Sequence, residues 1–233
     1  IRLNSVVTAV TQLGGSGAGA GARVVSVTCA DGSEFSADAV ICTVPLGVLQ
    51  SGAIQFSPRP PQLDRLCRKQ MGLMNLVWVW YPYQFWPEGY NFLGVSRDDS
   101  TVPTFTTFLM PPMTDQHGTR QAIVMCQTVG QFALEVETKS DAELAALATE
   151  ALRSIFGEVG VPDAVGCVHS SWASDPFSRG SYSGGPIPTT AVDSSAVETP
   201  VDGSAWEFPE LSFAGEATHP VHQGTMHGAY LTG

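Results

Sequence analysis

Between Asn75 and Val129 four runs rich in β-branched and aromatic residues, Asn75–Tyr81, Phe92–Val95, Thr104–Met110 and Gln121–Val129, are separated by turns rich in Pro, Gly and Asp. Runs of this kind form strands, and short breaks between them favour antiparallel neighbours. The segment that follows has the opposite period. From Asp141 to Phe156, Leu144, Leu147, Ala151, Leu152 and Ile155 fall on one helical face, Ser140 and Glu143 make a capping box, and Gly157 closes the end. A half-apolar sheet and an amphipathic helix must bury each other. The middle of the chain therefore predicts a mostly antiparallel sheet with helices against it, and an α/β (α+β) class for the whole.

The flanks read differently. Residues 3–13 alternate loosely through Val6, Val7 and Val10, and Arg23–Cys29 is a second β-rich run; the Gly- and Ala-rich stretch 14–22 joins them as a flexible loop. Gly17, Gly19 and Ala22 match a relaxed dinucleotide-binding pattern. That pattern needs a helix directly after it, so that helix amides face a pyrophosphate, and the β-rich Val24-Val25-Ser26-Val27 follows instead. Asp31-Gly32 marks a turn, and Ala39–Thr43 is a short apolar strand stopped by Pro45 and Gly47, the sort of strand end that touches ligands. Leu63, Leu66, Cys67 and Met71 share helical spacing, with Gly72 as the stop.

With 233 residues and 43% hydrophobic content, the chain can bury a substantial core. Its net charge of −11 argues against nucleic acid and anionic membranes as partners and suits a polycation. No apolar stretch reaches the roughly 20 residues of a membrane span. Five cysteines, an odd number scattered singly, point to buried thiols and an intracellular, reducing compartment.

Three of the histidines cluster as His219, His222 and His227 near Glu216, but Pro220 and Gly224 break the helical spacing of a zinc motif, so no metal is expected. Gly180-Ser181-Tyr182-Ser183-Gly184 is not a nucleophile elbow, because the serine is not central between strand and helix. What remains is a tail, Phe213-Ala214-Gly215-Glu216-Ala217-Thr218-His219-Pro220 and then Gly224-Thr225-Met226-His227-Gly228-Ala229-Tyr230, that resembles the end of the flavin amine oxidases: polyamine oxidases, monoamine oxidases and lysine-specific histone demethylases. Three further stretches agree. Ala37–Leu49 is similar to the family's strand and Pro-Leu-Gly-Val-Leu turn, Trp172–Ser183 looks like its flavin-side tryptophan leading to a substrate-cage tyrosine, and Met71–Gly89 runs without gaps like the plant polyamine oxidases.

The resemblance implies a partial FAD-binding amine oxidase fold. Residues 1–72 and 192–233 would belong to the FAD domain and 73–191 to the substrate domain. It implies noncovalent FAD, held by Val7, Thr43, Pro45, Trp172, Gly215, Glu216, Thr225 and Met226, because Ser181 stands where monoamine oxidases link their flavin through cysteine. Tyr182, Trp172 and Thr225 would line the site of an amine or polyamine substrate, Thr225 leaving room for a long one. Leu76 departs from the pattern: most of the family has a lysine there, and Lys69 is expected in the preceding helix. A C-terminal half lacking the dinucleotide fingerprint would need the N-terminal half of the same protein to bind FAD well, and alone would be inactive. Three readings stay open: amine or polyamine oxidation, histone lysine demethylation, and a non-catalytic binding module in which Leu76 marks lost activity.

Overall fold

The computed structural model describes residues 1–13, 24–96, 103–157, 160–184 and 210–233. The Gly-rich loop 14–22 and residues 192–209 of the expected C-terminal segment lie outside them. The chain forms a mixed α/β structure in two compact units, one of residues 1–72 and 176–233, the other Leu73–Asp175.

In the second unit, β7 (Met74–Tyr81) alternates half-buried and buried residues along its whole length. Its neighbours are β11 (Arg120–Val129) on one side and β12 (Gly166–His169) on the other; β9 (Thr107–Leu109) and β8 (Phe92–Gly94) extend the sheet, and β10 (Met113–Thr114) pairs with β11. Every pairing is antiparallel. One face, with Val77, Val79, Tyr81, Val124 and Cys126, packs against Leu144, Ala148 and Leu152 of helix α4 (Asp141–Phe156). The Tyr81 hydroxyl, pushed well above its ordinary pKa chiefly by burial, hydrogen-bonds Thr149 Oγ1 at 3.1 Å.

Helix α4 has the bounds and capping box that its sequence predicts: the Ser140 hydroxyl accepts the Glu143 amide at 3.3 Å, and Glu143 accepts the Ser140 amide at 2.8 Å. Ile155, expected in the stripe, is exposed, and Ala148 takes the core position. Ser140→Ala should cost about 1 kcal/mol of stability. Thermal melting checks this, and an unchanged midpoint would show the cap to be dispensable. The shorter α3 (Gly130–Val136) leads into α4.

The first unit is built around β1 (Val7–Leu13). A four-stranded sheet runs β3 (Glu34–Ala37), β2 (Val24–Cys29), β1, β5 (Gln55–Ser57), with β1 and β5 parallel. Separately, β4 (Val40–Cys42) and β14 (Leu211–Phe213) form a parallel pair, and β6 (Gln70–Gly72) pairs antiparallel with β13 (Tyr182–Gly184). Helices α1 (Leu46–Ser51) and α2 (Pro61–Cys67) close over a core of Val10, Val25, Cys42, Leu46, Leu63, Leu66 and Phe213. Pro61 suits the first turn of α2, where its missing N–H is no loss.

Two expectations change here. The helix assigned through Met71 ends at Cys67, and Met71 lies in β6, because pairing with β13 outweighs helical spacing. Lys69 is therefore beyond the helix. Pro176–Gly184, expected with the substrate domain, packs with the first unit for the same reason.

Candidate functional site

In the first unit two strands end side by side. The register Cys42↔Phe213 and a 3.0 Å bond from the Ala214 amide to the Cys42 carbonyl set Thr43–Pro45 beside Ala214–Glu216 at the carboxyl ends of the parallel pair. Carboxyl ends of parallel strands are where open α/β sheets bind ligands. Thr43 and Pro45 are exposed, and the Pro45 carbonyl accepts the Val48 and Leu49 amides of α1. Gly215 takes φ 128°, a conformation that side chains rarely adopt, and a Cβ there would project into open space. Its bare backbone leaves a cradle that any side chain would fill. Val7, at the start of β1, packs on the core shared with β4 and β14 and precedes the β1–β5 pairing, which begins at Ala9.

Glu216 begins a single 3₁₀ turn (Glu216–Thr218), and its carboxylate ties three segments together. Oε1 accepts the Ser183 amide at 2.9 Å, while Oε2 accepts the Ser183 hydroxyl at 2.6 Å and the Gly224 amide at 2.6 Å. The family resemblance implies that Glu216 helps to hold FAD. The structure shows that most of its acceptor capacity goes to this chain, which leaves Oε1 the freer oxygen. Lys69, which sequence reasoning placed in a helix, donates to the Ala217 carbonyl at 2.6 Å. Burial lowers the Lys69 pKa, and Glu216 works against that shift.

These contacts bring Tyr182 to the same place. It precedes Ser183 on β13; a Cβ on Gly224 would come within 2.9 Å of its ring, and one on Gly72 would meet its carbonyl oxygen at 3.2 Å. Glycines thus let the tyrosine lie flush on the backbone, with 39% of its surface still open. Thr225 caps helix α5 (Met226–Thr232): its hydroxyl donates to the His222 carbonyl at 2.7 Å and accepts the Gly228 amide at 3.1 Å. Met226 is exposed.

The rings of His219, His222 and His227 follow one another in tilted pairs, with centroids 4.8 and 4.5 Å apart. His219 Nδ1 accepts the Val221 and His222 amides, and burial, then the neighbouring histidines and Lys69, lower its pKa. Among the described residues no group of three His, Cys, Asp or Glu side chains is placed to hold a metal ion.

In the second unit Leu76 and Trp172 are joined through a polar relay. The Leu76 amide donates to Ser170 Oγ at 3.0 Å, Ser170 Oγ donates to Asn75 Oδ1 at 2.8 Å, and the Trp172 amide donates to that same oxygen at 3.3 Å. Sequence reasoning missed Asn75, although a polar residue on the core face of an apolar strand is a readable signal.

A model of the flavin containing amine oxidoreductases matches residues 1–233. The chain belongs to that family. It is 34% identical to histone demethylase-like protein A of Aspergillus fumigatus, over 100% of this chain and 22% of that protein. It is 34% identical to Protein FLOWERING LOCUS D of Arabidopsis thaliana, over 91% of this chain and 26% of that protein. With lysine-specific histone demethylase 1 homolog 3 of the same plant the identity is 32%, over 100% of this chain and 14% of that protein. The chain thus spans between 14% and 26% of the length of these relatives. The family is FAD-dependent, and the open backbone at Gly215 beside the Thr43–Pro45 loop fits an extended cofactor lying over the strand ends.

Proposed function

We propose that the protein to which these residues belong is an FAD-dependent amine oxidase acting on a methylated lysine in a basic peptide. The observation that carries this reading is the Glu216 tie, by which the residue after Gly215 holds Ser183, next to the half-open Tyr182, and Gly224, whose backbone lies against the Tyr182 ring. Gly215, Glu216, Thr43, Pro45, Val7, Thr225 and Met226 would hold the cofactor, and the family resemblance puts Trp172 on the flavin side. FAD, when bound, supplies the two-electron acceptor for a hydride from the carbon beside the amine nitrogen, and water hydrolyses the resulting imine to an aldehyde and a shorter amine. Tyr182 offers an aromatic face that orients a cationic or partly desolvated amine. The relatives' printed names and the charge of −11, which favours a basic partner, support the peptide substrate. A polyamine is the second reading, favoured by the likeness of Met71–Gly89 to plant polyamine oxidases.

The test is formaldehyde release by the full-length protein from a dimethyl-lysine tail peptide, the trimethyl-lysine peptide and, as a peroxide assay, spermine. The dimethyl peptide should react. The trimethyl peptide should not, because a quaternary nitrogen has no lone pair with which to form an imine. Tyr182→Ala should lower kcat/KM about 2- to 30-fold, the equivalent of losing about 0.5–2 kcal/mol of cation–π contact. Turnover of spermine alone would replace this reading with polyamine oxidation, and turnover of neither would favour a non-catalytic module.

The flavin is expected to be noncovalent. The Ser181 hydroxyl is not a nucleophile comparable to a cysteine thiolate. Acid precipitation should leave the yellow colour in the supernatant; flavin that stays with the washed, proteolysed pellet would show a covalent link.

A further inference from the structure

Asn75, the second residue of β7, is fully buried. A buried amide is costly unless its polar atoms are satisfied, and here they are. Nδ2 donates to the Ala133 carbonyl at 3.0 Å and to Glu137 Oε1 at 2.7 Å, while Oδ1 accepts from Ser170 Oγ and from the Trp172 amide. Glu137, just past α3, accepts the Ala173 amide at 2.9 Å on Oε1, and the Ser174 amide at 2.8 Å together with the Ser174 hydroxyl on Oε2. The successive amides of Trp172, Ala173 and Ser174 thus converge on two side chains, as a backbone nest converges on an anion.

One feature of this arrangement works against stability. A carboxylate at a helix C-terminus faces the negative end of the helix dipole. Burial works to raise the Glu137 pKa, and the hydrogen bonds from Ser174, Asn75 and the two amides outweigh it, holding the group below its ordinary value. The turn therefore favours the anionic form of Glu137. Meanwhile the Trp172 side chain is 44% exposed. Its place is fixed through the backbone, which leaves the indole face for a ligand.

We propose that Asn75 and Glu137 are positioning residues of the amine-oxidation site, setting the orientation of Trp172 and the backbone of β7 at Leu76. This rests on the reading above, in which Trp172 stands on the flavin side. The test uses full-length protein carrying Glu137→Gln or Asn75→Asp, with Ser140→Ala as a control that loosens α4 without touching the relay. Trp172 emission is isolated by difference against Trp172→Phe, and its acrylamide quenching is measured beside kcat and KM. Both relay variants should show easier quenching of Trp172 and a kcat lowered by up to about 10²-fold, the effect of a displacement near 1 Å, with KM little changed. The control should show neither. Should Asn75→Asp fail to fold, Glu137→Gln keeps the side-chain shape and decides alone. Unchanged quenching, altered quenching with unchanged kcat, or the same changes in Ser140→Ala would each overturn the proposal. The quenching arm needs no turnover, so a wild-type protein that oxidises no amine would remove the functional reading while the orientation of Trp172 is still decided.

Discussion

Gly47→Ala is expected to lower the melting temperature and amine turnover together. A Cβ at this position would lie 2.3 Å from the Arg179 carbonyl oxygen and 2.8 Å from both the Arg179 carbonyl carbon and the Ser178 oxygen. These are backbone atoms, which cannot swing aside as the end of a side chain can. Overpacking a tight site costs about 1–3 kcal/mol, and backbone contacts put this one at the upper end. For a chain of this size that is a shift of roughly 6–12 °C. The displaced segment has little slack, since Arg179 already sits at φ 54° and a Cβ on Gly180 would meet the Met71 side chain at 2.5 Å. It also leads directly into Tyr182, so strain at Gly47 reaches the aromatic face. Gly184→Ala is the control, because nothing lies within 4 Å of its Cβ position. A Gly47→Ala protein that melts and turns over like the Gly184→Ala protein would show that the contact relaxes freely.

The same glycine shows where sequence reading succeeds and stops. Pro45 and Gly47 read as a strand stop, yet directly after Pro45 the chain turns into α1, Gly47 included, whose apolar Leu46, Val48 and Leu49 are drawn into the core without a side-chain cap to announce the helix. Helix α4 was legible because its cap, stripe and terminator are all local. β7 was legible because its period is complete. Met71 was misplaced because its partner, Ser183, is distant in sequence and no local rule reports such pairing.

The site divides in the same way. Gly215 stands out from motif alone, and the structure places it at the side-by-side ends of β4 and β14 with an open Cβ position. The work of Glu216 in tying Ser183 to Gly224 was not legible, nor was that of Asn75 and Glu137. These are side chains that serve other parts of the backbone. Their partners become visible only when strands and turns far apart in sequence are brought together.

Leu76→Lys is expected to speed the reaction of the reduced, full-length protein with oxygen by about 10²- to 10³-fold, the usual worth of one well-placed electrostatic donor. A leucine side chain has no N–H and no charge, so it can stabilise neither developing negative charge on oxygen nor a bound water. The fold tolerates the change. The Leu76 backbone is held independently of its side chain, by pairing with Gln127 and by the Ser170 hydroxyl, and the side chain points to the half-buried face that alternation assigns to Met74, Trp78 and Trp80. A lysine can lay its aliphatic stem along that face and carry its ammonium to polar surroundings, so the melting temperature should move little. The measurement is stopped-flow recovery of the flavin colour after anaerobic reduction by substrate, with wild type and variant compared at the same oxygen concentration. A slow wild type restored by lysine would mark a protein that passes its electrons to oxygen poorly and relies on another acceptor. If wild type recovers as fast as the variant, Leu76 has no bearing on the oxygen step and the ordinary oxidase reading holds for this chain.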